Sequence, residues 1–158
     1  MFVRARGYCL RALEVHHRGF TQTIQKDPKT ALATATRADV PALYWAGVAW
    51  GGLLTQSENP FARIGEIATV RAFFTRALEL DDGWQQGAIH EAMIAVEGLP
   101  VLLGGSPVRA KEHFDRAVAL GNGQSAFAYL AMATSVAQPA RDRGQFEALL
   151  KSALAVDV

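Results

Sequence analysis

The sequence predicts an all-α fold, a set of helical hairpins stacked as an α-solenoid, and three observations carry that expectation. Alanine is the commonest residue, at 28 of 158. β-Branched residues are scattered and do not alternate with polar ones, which favours helix over strand. One apolar pattern also recurs along the chain at helical spacing.

The elements follow from the punctuation. Asp27-Pro28, Val40-Pro41, Asn59-Pro60, Asp81-Asp82-Gly83, Leu99-Pro100, Gly104-Gly105-Ser106-Pro107, Gly121-Asn122-Gly123 and Gln138-Pro139 each start or stop a helix, by removing an amide donor or permitting positive φ. The segments between them predict helices near 2–16, 18–26, 29–36, 41–55, 62–80, 84–97, 107–120, 124–137 and 143–156. Ser106 reads as an N-cap and Pro107 as the first helical residue, which explains that turn without a phosphate ligand.

The later helices repeat. Phe74 to Leu80, Phe114 to Leu120 and Leu150 to Val156 align on Ala77, Ala117 and Ala153, and Cys9 to Val15 supplies a fourth copy around Ala12. Seven residues before each alanine stand Val70, Ala110, Phe146 and Ala5, on the same helical face. Ala110-x3-Phe114-x2-Ala117 is the second-helix pattern of a tetratricopeptide repeat (TPR), where small residues let paired helices approach and the aromatic fills the space between them. The spacing departs from the usual repeat length, so the expectation is one TPR-like domain over 1–158, with 41–55, 84–97 and 124–137 as first helices lining a concave groove.

Charge narrows the partners. Sixteen Lys and Arg against fifteen Asp and Glu leave a net charge of +1, with no basic field to gather nucleic acid. The single cysteine, Cys9, excludes an internal disulfide and a cysteine zinc site. Met1 to Tyr8 carry charges without an apolar run or a small-residue cleavage site, so no signal peptide is expected in this chain. Val40 through Ser57 is uncharged and contains the small-residue spacing of Gly47 and Gly51, as in paired membrane helices. Pro41, three glycines, Thr55-Gln56-Ser57 and two internal tryptophans argue for a buried or groove-lining helix instead.

Catalytic patterns fail one by one. His90-Glu91 opens like a zinc-protease helix, but Ile94 stands where the second histidine ligand belongs. His16 and His17 are adjacent, so on a helix they diverge by about 100° and suit joint ligation poorly. His113 lies beside the repeat stripe, where an interhelical hydrogen bond is its expected role. No enzyme, cofactor or metal is expected. The aromatics are more informative: Tyr44, Trp45 and Trp50 crowd one first helix, and Trp84 and His90 fall on the next. They are expected on or just behind one concave surface, as an apolar groove for a ligand tail or a partner's helix. Trp45 and Trp50 are five positions apart and cannot both face it.

Several segments resemble a known family. Pro41-Ala-Leu-Tyr44-Trp45-Ala-Gly47-Val-Ala-Trp50-Gly51, Arg76-Ala-Leu-Glu-Leu-Asp81, Gly87-Ala-Ile-His90, Leu99-Pro100-x3-Gly104-Gly105-x-Pro107-x2-Ala110 and the tail from Arg141 are similar, in order, to the T component of tripartite ATP-independent periplasmic (TRAP) transporters. The Leu43-Tyr44-Trp45-x-Gly47-x-Ala49-Trp50-Gly51 segment is the specific part, whereas Arg-Ala-Leu-Glu-Leu is generic to TPR helices. The resemblance implies a periplasmic, often lipid-anchored helical protein that forms trimers, pairs with the solute-binding P component and receives an apolar small molecule. Cys9 has no apolar run before it and does not match the family's lipid-attachment cysteine. The competing reading is a cytosolic TPR adaptor gripping a peptide, against which stands the absence of Lys and Arg from 41–55 and 84–97.

Overall fold

The structure, a computed structural model, describes residues 1–56 and 64–156. The punctuator Asn59-Pro60, the end of the uncharged run at Ser57 and the first two positions expected of the fifth helix lie outside the described residues. Among the described residues there are nine α-helices and no strand: α1 Phe2–His16, α2 Phe20–Lys26, α3 Pro28–Ala33, α4 Val40–Thr55, α5 Ile64–Leu80, α6 Ala88–Glu97, α7 Pro107–Leu120, α8 Ala126–Met132 and α9 Arg143–Leu154. They fall into two compact units, Met1–Asp82 and Gly83–Val158.

In the first unit the chain turns through side-chain caps. Glu14, in the last turn of α1, accepts from the amides of Gly19 (2.6 Å) and Thr21 (2.7 Å), so the donors that open α2 are satisfied from the preceding helix. Asp27 then caps α3, accepting from the Thr30 amide and hydroxyl, with Pro28 in the first helical turn. The uncharged helix α4 packs against α1 on one side and α5 on the other. No helix among the described residues is long and apolar enough to cross a membrane.

Glycine is what lets α4 sit so close to both neighbours. A Cβ on Gly47 would stand 2.8 Å from the Phe74 ring of α5, and one on Gly52 would stand 2.7 Å from the Phe2 ring of α1. Each aromatic therefore lies on bare helix backbone. Val40, Leu43, Ala46, Ala49 and Trp50 complete the buried face of α4, and Leu13, Phe20, Ile24, Phe73 and Ala77 are buried residues of the neighbouring helices of the unit. Arg76 of α5 donates to the carbonyl of Ala35 at 2.8 Å, tying the loop after α3 to the helix behind it.

The repeat pattern holds for packing in α5 and α7, whereas in α9 Phe146 and Ala153 are only half-buried. Val70, Ala77, Ala110 and Ala117 are all buried. The proposed copy in α1 does not behave this way: Ala12 is exposed, and the buried residues are Leu10 and Leu13. Packing on α4 selects the face of α1 that carries the two leucines, since their burial stabilises more than that of an alanine.

The second unit builds two helix pairs, α6 with α7 and α8 with α9, and α8 also touches α6 and α7. Ile94, Ala117, Ala128 and Met132 form its buried centre, with Phe114, Val118 and Leu149 packed around them. Ser106 caps α7 by accepting from the Arg109 amide, with Pro107 behind it, as the sequence predicts. Trp84 does not open an α-helix. Residues Trp84–Gly87 form a 3-10 turn with left-handed Gln85 and Gln86, and α6 begins only at Ala88. Gly87 explains the break: at φ +100° its backbone lies so close to α7 that a Cβ would meet the Ala117 Cα at 3.2 Å. Helix α8 continues as a π-helical turn, Ala133–Ala137, closed by the Gln138 amide on the Ala133 carbonyl at 2.9 Å.

Gly47→Ala should lower stability by roughly 1–3 kcal/mol, the usual cost of forcing an extra group into a packed core. Urea denaturation checks this, and a second substitution, Phe74→Leu, should recover part of the loss.

Candidate functional site

The five residues singled out by sequence fall in both units, Tyr44, Trp45 and Trp50 in the first and Trp84 and His90 in the second. On α4 the two tryptophans divide as their five-residue spacing requires. Trp50 is buried, 7 % exposed, while Trp45 is 53 % exposed. Trp50 is fixed on every side: its indole N–H donates to Glu66 Oε2 at 2.5 Å, the Arg6 guanidinium sits 4.7 Å over the ring, and Phe73 lies 5.9 Å away. That ring serves the core.

Tyr44 stands between core and surface. It meets Trp45 edge to face at 5.1 Å and Phe74 at 6.1 Å, so the exposed indole is braced by a ring that is itself held by the packed Phe74. Trp45 thus projects from a rigid aromatic stack on a helix without a charged side chain. Trp84 is partly buried in its 3-10 turn. His90 is buried, and its Nδ1 lies 2.8 Å from Nδ1 of His113 on α7. One imidazole must donate and the other accept.

Other ionisable groups are absorbed into structure. Glu97, 1 % exposed, accepts from Arg109 Nε at 2.8 Å and pairs with its Nη2 at 2.7 Å, while the Glu97 carbonyl accepts from the Ser106 amide. Ser125 donates to Glu91. Burial pushes the Cys9 thiol up from its ordinary value, away from the reactive thiolate. Sequence reasoning missed Asp39. His16 Nδ1 and His17 Nε2 both converge on its carboxylate, at 3.2 and 2.9 Å, and the Thr36 amide and hydroxyl bind the same group. The divergence expected of adjacent helical histidines does not apply, because α1 ends at His16 and His17 has left helical geometry at φ −130°, ψ 88°. Burial disfavours ionisation of Asp39, but these hydrogen bonds outweigh it and hold the carboxyl well below the usual carboxylate range. Among the described residues no cluster of three or more His, Cys, Asp or Glu could hold a metal.

The first unit also contains an open cleft of about 770 Å³ between α3 and α5, lined by Leu32 and Ala72 together with charged side chains of both signs, among them Asp27, Lys29, Arg71 and Glu79. No sequence signal marks it, since its two walls lie more than thirty positions apart in the chain and neither is apolar enough to stand out.

The TRAP transporter T-component family matches residues 1–158, the whole chain, and the protein belongs to that family. Membership ties it to a TRAP transporter system as an accessory component. The chain is also similar to an uncharacterized protein of Treponema pallidum (strain Nichols), at 24 % identity over 162 residues that cover 99 % of this chain and 50 % of the relative. The chain thus spans about half the length of the curated relative it matches.

The buried titratable groups give pH dependence with a definite sign. Burial first, and the neighbouring His90 next, lower the His113 pKa in the fold. The unfolded chain therefore takes up a proton before the folded one, so stability is full above the ordinary histidine range and declines as pH falls through it. His113→Gln should flatten that decline in thermal melts recorded from neutral to mildly acidic pH. Asp39 acts in a lower window: its contribution is present above the ordinary carboxylate range and is lost below it, and Asp39→Asn should remove that step.

Proposed function

We propose that this T-component protein is a non-enzymatic accessory subunit that docks the periplasmic solute-binding component of its transporter through the aromatic face of α4. The observation that supports this most is Trp45, more than half exposed and braced by Tyr44 on an uncharged helix. A large ring held rigidly in water loses little conformational freedom on binding and gains its burial, which is why tryptophan and tyrosine dominate interface hot spots. Trp50 acts from behind as the wall that keeps α4 in place.

The same reading gives the cleft between α3 and α5 to the apolar ligand expected from the family resemblance. Its volume suits a small molecule, and Leu32 and alanines are among its lining residues. The uncharged α4 surface is also the face on which copies of the chain associate in the periplasm, as trimers by that resemblance, when the solute-binding protein is absent.

Calorimetry with the solute-binding protein encoded beside this chain tests the reading. Trp45→Ala should weaken the complex by roughly 1–3 kcal/mol and leave the melting temperature unchanged. Trp50→Ala should instead destabilise the fold by about 3–5 kcal/mol. Binding should vary little with salt, because few charges are buried. Full affinity in Trp45→Ala would remove α4 as the docking face, and failure of the wild-type protein to bind would remove the reading.

A further inference from the structure

The outward face of α1 combines two features that the packed interior does not explain. Arg4, Tyr8, Arg11 and Val15 follow one another at intervals of four, three and four, so they form one stripe along the helix, opposite the buried Leu10 and Leu13. All four are exposed, Tyr8 at 56 % and Val15 at 81 %, and Val3 beside them is 63 % exposed. The stripe carries positive charge only. Arg4 and Arg11 make no ion pair among the described residues, and the one acidic residue of the helix, Glu14, is turned onto the amides that open α2. Arg11 lies 4.6 Å over the Tyr8 ring, which holds the cation beside the aromatic. Between the two arginines Gly7 leaves a shallow hollow of about 240 Å³, lined by Val3, Arg4, Tyr8 and Arg11.

We infer that this face of α1 rests on an anionic phospholipid surface. Two unpaired guanidinium groups flank a hollow that admits a phosphate, while Val3, Tyr8 and Val15 reach to the level of the acyl boundary, the arrangement by which an amphipathic helix lies in a membrane interface. Charge complementarity selects the occupant. A second copy of the same stripe would set arginine against arginine, whereas a bilayer of anionic lipids offers phosphate to each cation and apolar depth to each exposed side chain. The remaining arginine within the helix, Arg6, is spent over the Trp50 ring and does not take part. This contact is independent of the docking reading, which uses α4.

Flotation with liposomes tests it on the full chain. The protein should float with vesicles of phosphatidylcholine containing roughly a third phosphatidylglycerol and not with phosphatidylcholine alone, and binding should fall as salt is raised. The double substitution Arg4→Glu, Arg11→Glu should reduce the bound fraction by about tenfold or more, with an unchanged melting temperature because both side chains point outward. Tyr8→Ala with Val15→Ser should weaken binding without altering its salt dependence. Inorganic phosphate added at constant ionic strength should leave flotation unchanged. The inference is overturned if the wild type floats with neither vesicle or equally with both, if the charge reversal has no effect, or if inorganic phosphate displaces the protein from the vesicles.

Discussion

Helix approach at positions without a side chain is the constraint on which the rest of this structure depends. In the first unit Phe74 and Phe2 lie on the backbone of α4 at Gly47 and Gly52, and these two contacts set how closely α5 and α1 can draw in. In the second unit the backbone at Gly87 does the same against Ala117. The buried alanines extend the principle, since Ala77, Ala110 and Ala117 show no exposed surface at all. Each small residue contributes little burial of its own. It stabilises by letting a larger neighbour, Phe73, Phe74 or Ile94, bury all of its apolar surface in dense packing.

The ionisable residues inside the fold are placed to hold loops. Asp39 gathers the end of α1 and the turn before α4 into one carboxylate, and Glu97 joins the end of α6 to the start of α7 through Arg109. A buried carboxylate that is surrounded by donors fixes backbone geometry, because removing any one donor leaves charge unsatisfied in a poorly solvated place. His90 and His113 do the same across α6 and α7. These groups have the chemistry of acids and bases, but their hydrogen-bonding capacity is committed to the fold. An accessory component of a transporter needs a stable surface, and this use of polar residues supplies one.

The first unit therefore presents two faces of different character. Helix α4 has no charge and shows a braced indole, whereas α1 shows cations beside isolated apolar side chains. Recognition through the first, as proposed, would be governed by desolvation and shape and be insensitive to salt. Recognition through the second, as inferred, would be governed by counter-charge and fall with ionic strength. The two proposed contacts, with a partner protein and with a bilayer, would thus fall on separate helices and answer to different physical forces.

The sequence by itself determined the helical class, most helix limits, the cap at Ser106 and the buried small positions at 70, 77, 110 and 117, because each of these follows from spacing within a few turns of one helix, and it pointed to the family by resemblance of segments such as Leu43 to Gly51. Periodicity also showed that Trp45 and Trp50 must part. It could not say which ring is buried, since that depends on Arg6, Glu66 and Phe73 arriving from other helices. The phase of α1 was decided in the same way: the chain offers both an alanine face and a leucine face, and contact with α4 chose the leucines. The Asp39 cluster and the cleft between α3 and α5 were invisible for a related reason. Their members are distant in sequence and ordinary in type, and only the folded chain brings them within bonding distance, as it brings the His16 and His17 rings together by ending the helix between them.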